Sequence, residues 1–168
     1  LIDSFWLFFL YGFGAMLNPK GDKWIDPAIH KPMADWFQHH VDEWMLNRTM
    51  GIREQKHLAV VVHREVGKST MFTQAGQAWL HLRDPEISTY TGAEKMEHAT
   101  KNLDAIKGIL DGSDPYALFP RIFGNWATSA RRWTGKEIIH SGRRNTARRD
   151  PSFGTFAVQL AKVLGAHV

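Results

Sequence analysis

Seven consecutive residues, Arg64-Glu65-Val66-Gly67-Lys68-Ser69-Thr70, have the types and spacing of a phosphate-binding loop. The general pattern is a glycine, four residues, then Gly-Lys-Ser/Thr. Its second half is complete at Gly67, Lys68 and Ser69, while Val62 stands where the first glycine would be. Each residue type has a chemical reason to be there. Loop N–H groups and the positive end of a following helix attract phosphate oxygens. Gly67 lets the backbone approach without a Cβ. Lys68 offers a compact cation to the β- and γ-phosphates of ATP, and the Ser69 hydroxyl, with Thr70 beside it, is the candidate Mg²⁺ ligand. Arg64 is the candidate contact to the γ-phosphate, where charge develops during transfer. Arg64 and Lys68 are thus the candidate catalytic residues, and the run from Arg64 to Thr70 is the candidate nucleotide-binding segment.

Such a loop needs a strand before it and a helix after it. The run His57-Leu58-Ala59-Val60-Val61-Val62 has the composition of a strand buried on both faces. Behind the loop, Phe72, Ala75, Trp79 and Leu82 form a helical stripe that Asp84-Pro85 ends. Residues 86–90 read as a second strand. Thr91 followed three residues later by Glu94 is a capping box, and Met96, Ala99, Leu103, Ile106 and Leu110 then recur at helical spacing up to Asp111-Gly112. Strand alternating with helix predicts an α/β fold with a P-loop-type parallel sheet flanked by helices. Further strands are expected at 136–140 and 153–158, joined as a hairpin by an arginine-rich tip from Ser141 to Pro151. Upstream, a helical lead is expected over 1–50, with helices at 3–17 and 28–46, the second carrying Ile29, Met33, Trp36, Phe37, Val41 and Trp44. Residues 51–168 are then a partial ATPase core.

Charge is uneven. The 168-residue chain has a formal net charge of +4, yet between Arg121 and Arg149 eight Lys/Arg face Glu137 alone. A basic block on a near-neutral body suits a polyanion, and its densest cluster, Arg143, Arg144, Arg148 and Arg149, is the candidate nucleic-acid contact. Trp126 and Trp133 flank Arg131-Arg132; stacking on bases and packing of a hairpin are the two readings, and packing is the expected one. His39, His40, Asp42 and Glu43 are the densest group of potential metal ligands, but they follow no ligand spacing and read as a helix surface. With no cysteine, disulfides and thiolate metal sites are excluded. The apolar run from Phe5 to Leu17 is shorter than the ~20 residues a spanning helix needs, so no membrane partner is expected.

The segment Val61-Val62-His63-Arg64-Glu65-Val66-Gly67-Lys68-Ser69-Thr70 resembles the Walker A loop of tailed-phage terminase large subunits, a family in which an early arginine is common and the first glycine is often missing. Ile87 to Glu94 resembles that family's second strand and turn, Arg149-Asp150-Pro151-Ser152-Phe153 its segment ahead of the Walker B strand, and Asp26 to Met33 the start of a helix upstream of the loop. The resemblance implies an ATP- and Mg²⁺-dependent motor that drives double-stranded viral DNA into a capsid in the host cytoplasm. It also implies a portal protein and a small terminase subunit as partners, and a homo-oligomer when full length. An adenine-contacting glutamine would precede the loop, and Gln38 and Gln55 are the candidates. A Walker B acid and a nuclease carboxylate cluster do not occur in the chain, both ends look cut, and the expectation is a fragment that binds nucleotide without turning it over. Two rivals stand beside this reading: another P-loop DNA-dependent ATPase of helicase-like type, and a non-catalytic remnant that binds DNA.

Overall fold

A computed structural model of the chain describes residues 2–14, 25–52, 58–63, 66–92, 96–144 and 155–159. Helix α1 spans Phe5–Gly12 and α2 spans Pro27–Thr49. A π-helical segment, π1, covers Ser69–Ala75 and runs directly into α3, Gly76–Arg83. Strand β1 is Ser88–Gly92, followed by α4 at Met96–Asp111 and two short helices, α5 at Phe119–Phe123 and α6 at Trp126–Ser129. The remaining strands are β2 (Arg132–Trp133), β3 (Ile138–Ile139) and β4 (Thr155–Gln159).

The helix starts follow from their caps. Ser4 accepts from the Leu7 N–H at 3.3 Å, and Asp26 accepts from the Ala28 N–H at 2.8 Å with Pro27 opening α2. The α4 helix stops at Asp111, where Gly112 takes φ 77°, a left-handed value that favours glycine.

One aromatic core joins the lead to the rest and crosses the boundary expected near residue 50. Phe5, Phe8, Phe9 and Phe13 of α1 and its flank are fully or almost fully buried. The Phe5 ring lies 4.8 Å from Phe37 of α2 and 5.1 Å from Trp79 of α3, and Phe37 lies 5.4 Å from Phe72 of π1. Phe8 meets Phe119 of α5 edge-on at 6.1 Å. The Trp79 indole N–H donates to the Ile2 carbonyl at 2.7 Å, which satisfies the polar end of a buried ring. The π1–α3 unit thus lies between α1, α2 and α4.

On α2 the buried stripe differs from the expected one. Residues His30, Ala34, Phe37 and Val41 face the core at spacings of four, three and four, while Ile29 and Trp36 are exposed. Large apolar residues occur on both sides of this helix, and the side that meets α1 and π1 is the one with a small residue, Ala34, for close approach.

Two pairings organise the strands. Strand β1 pairs in parallel with β4, Ser88 opposite Thr155 through Gly92 opposite Gln159. The long connection between them passes through α4, α5, α6 and the hairpin, as parallel neighbours require. Strands β2 and β3 form a small antiparallel hairpin, Arg132 opposite Ile139 and Trp133 opposite Ile138. This corrects the expected hairpin: residues 138–139 turn back on 132–133 across Thr134 to Glu137, and 155–159 join β1 instead. The tip closes because Glu137 N–H and Thr134 N–H each donate to the other's carbonyl, at 3.4 and 2.9 Å.

The apolar run ahead of the loop also differs. Residues 58–63 are neither helix nor strand, and their burial alternates at every residue, with Leu58, Val60 and Val62 half-buried and Ala59, Val61 and His63 exposed. That period of two marks an extended chain with one covered face, where burial on both faces was expected. Among the described residues no ladder holds it. Of the other sequence expectations, the capping-box Glu94, Gln55 and the Arg149-Asp150-Pro151-Ser152-Phe153 segment lie outside the described residues.

Candidate phosphate-binding site

The loop is built between the half-buried Val62 and the first turn of π1. Gly67 has φ 65° and Lys68 is right-handed helical at φ −54°, ψ −38°. A left-handed residue followed by a right-handed one turns consecutive N–H groups toward the same side, which makes a concave anion-binding surface. Met71 N–H donates to the Gly67 carbonyl at 2.9 Å, the first bond of the helix start. The N–H groups of the first turn have no carbonyl of their own helix to bond. They stand at the head of a continuous π1–α3 unit that ends at Arg83.

Lys68 reaches back across the loop. Its Nζ donates to the Val62 carbonyl at 3.4 Å, at the position where the motif usually has its first glycine. An ammonium has three donors, so this long contact leaves it capacity for phosphate oxygens. Ser69 and Thr70 are half-buried on the first turn beside it. The structure therefore brings Val66, Gly67, Lys68, Ser69 and Thr70 together at one helix start. Arg64 and Glu65 lie outside the described residues.

A buried histidine stands behind this loop, and sequence reading missed it. His30, 3% exposed, comes from the first turn of α2. Its Nε2 lies 3.2 Å from the Val66 carbonyl, and its Nδ1 lies 3.0 Å from the Asp26 amide nitrogen and 2.9 Å from the Asp26 carbonyl. The available signal was its place beside Ile29 and three residues before Met33, which hid its inward direction.

A second polar cluster lies under β1. A cavity of about 100 Å³ is lined by Gln77, His81, Thr89, Trp126, His140 and Arg143, among others. The Thr89 hydroxyl donates to Gln77 Oε1 at 3.1 Å, so the hydrogen in the 3.1 Å contact between His81 Nε2 and Thr89 Oγ1 belongs to His81. Burial, then the neighbouring His140 and Arg143, push the His81 pKa down to about 4 against a smaller opposing pull from Asp84. Burial also lowers His140, whose ring lies 4.3 Å from Trp126. No sequence motif connects these residues, which come from α3, β1, α6 and the turn after β3.

The remaining candidates find structural places. The Gln38 side chain holds the start of α1, accepting from the Phe5 N–H and donating to the Asp3 carbonyl, each at 2.8 Å. Trp126 is buried against Phe119 at 5.2 Å, and Trp133 is half-buried against the core. Arg143 donates to Ser88 Oγ at 3.0 Å, and the Arg144 backbone N–H donates to the Glu86 carboxylate. Arg144 itself is exposed, as are Arg131, Arg132 and Lys136; Arg148 and Arg149 lie outside the described residues. His39, His40 and Glu43 hold one ligand atom each within 4.8 Å of one another. All three project from about one turn of a single helix, with His40 packed edge-on against Trp36 at 4.9 Å. Among the described residues no helix is long and apolar enough to cross a membrane.

Comparison with protein-family models, with curated proteins and with solved structures finds no match for the chain.

Proposed function

We propose that residues 62–70 form the phosphate loop of an ATPase, and that the chain is the nucleotide-binding front of a DNA-packaging motor of the terminase large-subunit kind. The observation that carries the first part is the left-handed Gly67 set directly before Lys68 at the head of a helix. A left-handed glycine there has a purpose in a phosphate loop and none in an ordinary helix start, where capping hydroxyls or carboxylates do the work. In this reading Gly67, Lys68 and Ser69 contribute N–H donors. Lys68 adds a charge that swings from the Val62 carbonyl to phosphate, and the Ser69 hydroxyl holds Mg²⁺. The metal, when bound, neutralises phosphate charge. The parallel β1–β4 pair with its long crossover suits the same architecture. The motor role, with double-stranded DNA, a portal and a small subunit as partners, rests on the resemblance around the loop and on the exposed arginines near the hairpin.

The test is a titration of a fluorescent ATP analogue with Mg²⁺ into the chain and into Lys68→Ala. Saturable binding that the substitution abolishes supports the phosphate loop. Equal binding by both proteins, or no binding by either, rejects it for this chain.

A further inference from the structure

We propose that His30 is the positioning residue of the loop, a buried clamp that fixes the Val66–Gly67 peptide so that its N–H faces the phosphate side. The inference rests on the phosphate-loop reading for its function, but its geometry stands by itself.

The ring has a defined hydrogen pattern. A neutral ring with hydrogen on Nδ1 would point a bare Nε2 lone pair at the Val66 carbonyl, oxygen against nitrogen with no proton between them. The other neutral tautomer accepts the Asp26 N–H at Nδ1 and donates from Nε2 to Val66. The protonated ring donates to the Asp26 carbonyl and again from Nε2 to Val66. In both permitted states the donor to Val66 is present, so the clamp does not depend on the charge of the ring.

The consequence for the loop follows from peptide geometry. The chain has no cis peptide among the described residues, and in a trans peptide the C=O and the next N–H point in opposite directions. Holding the Val66 carbonyl against His30 turns the Gly67 N–H away from α2. Gly67, left-handed, then starts the run of N–H groups that continues through Lys68. Without the clamp the Val66–Gly67 peptide can rotate, because glycine allows both hands at little cost. His30 can act this way because it is rigid. Asp26 caps the same helix and receives the N–H of Ile29 and of His30 itself, at 3.1 and 2.8 Å. The ring therefore rests on the turn that anchors α2.

The experiment uses the full 168-residue chain in four forms: wild type, His30→Ala, His30→Gln and Lys68→Ala. Glutamine carries its amide nitrogen where histidine carries Nε2. Two readouts are taken: binding of the Mg²⁺–fluorescent ATP analogue, and amide hydrogen exchange of peptides covering Val66 to Met71 without nucleotide. We expect His30→Ala to weaken binding about tenfold and to speed exchange in those peptides at least tenfold more than in α3, with His30→Gln restoring most of both. Wild-type binding by a folded His30→Ala overturns the proposal, as does a glutamine variant as impaired as alanine. If the wild type binds no nucleotide, the phosphate-loop reading fails. The exchange readout then decides separately, and unchanged loop exchange in His30→Ala overturns the clamp itself.

Discussion

At the loop, a left-handed Gly67 precedes a right-handed Lys68 at a helix start, where the first N–H groups have no carbonyl of their own helix; under β1, His81, Thr89 and Gln77 are joined by hydrogen bonds in a chain. The loop is half-buried, and its cation makes a long contact to the Val62 carbonyl. Burial, then His140 and Arg143 nearby, lowers the His81 pKa, and burial alone lowers that of His140. Helix-start N–H groups beside a cation suit an anion. A closed polar chain next to an aromatic pair makes a joint that holds α3, β1 and the hairpin together. A polar cluster alone therefore does not mark a functional site; the direction of its donors decides.

The contrast can be broken from beneath. Trp79→Ala removes the ring shared by α1 and α3, and should destabilise the chain by about 3–5 kcal/mol, read as a lower denaturant midpoint with the slope unchanged. Loop and cavity should both loosen, since each is carried by the π1–α3 unit.

A second substitution separates the two regions. Lys68→Ala should lower nucleotide affinity by about a hundredfold, or about 2.7 kcal/mol, and change the thermal midpoint little because the side chain is half-buried.

Acid acts on the cavity. With a folded pKa of about 4 against an ordinary 6.5, His81 costs nothing above pH 6.5, where it is neutral both folded and unfolded. As pH falls below 6.5 the unfolded chain takes the proton first, so stability declines down to about pH 4 and then levels, a loss on the order of 2–3 kcal/mol. His81→Gln should flatten that slope in a pH series of urea melts, while nucleotide affinity at pH 7 stays at the wild-type value. A slope undiminished by the substitution would place the titrating group elsewhere.

Gly67→Ala sharpens the comparison at the loop. A Cβ at φ 65° costs about 1–2 kcal/mol, and relaxation of that strain should displace the loop amides and weaken nucleotide binding more than the fold. The smallest effect is expected at Arg48→Ala. It removes a 2.6 Å ion pair to Asp84 between α2 and the end of α3 and should cost under about 1 kcal/mol.

Local patterns were legible in the sequence, and distant pairings were not. The α2 helix, the helix after the loop, α4 with its Gly112 stop, and a strand near residue 88 all follow from spacing and caps within a few residues. The loop motif is likewise continuous, which is why Gly67 and Lys68 stand out. His30 did not, because its partner Val66 lies far along the chain and a lone histidine beside apolar positions does not say which way it points. The hairpin was misassigned for a related reason. Short β-branched runs at 138–139 and 155–159 can pair in several ways, and only the tertiary neighbours of β1 choose among them. Trp36 was expected inside and is exposed, since α2 has apolar residues on two faces and the one with room for α1 and π1 is decided by shape.

The π-helical start of the unit behind the loop has a consequence in terms of insertion and deletion. A π segment holds more residues per turn than an α-helix, so Ser69–Ala75 is slack in the chain between the loop and the core-facing Trp79. Thr73 marks where the slack lies: its hydroxyl is buried without a hydrogen-bond partner among the described residues. Losing one residue there should return the segment toward ordinary α winding and leave Gly76–Arg83 seated in the core. The same loss inside α3 would rotate the Trp79 face away from Phe5. A one-residue deletion between Met71 and Ala75 should therefore destabilise the chain less than one inside α3, in paired denaturant melts.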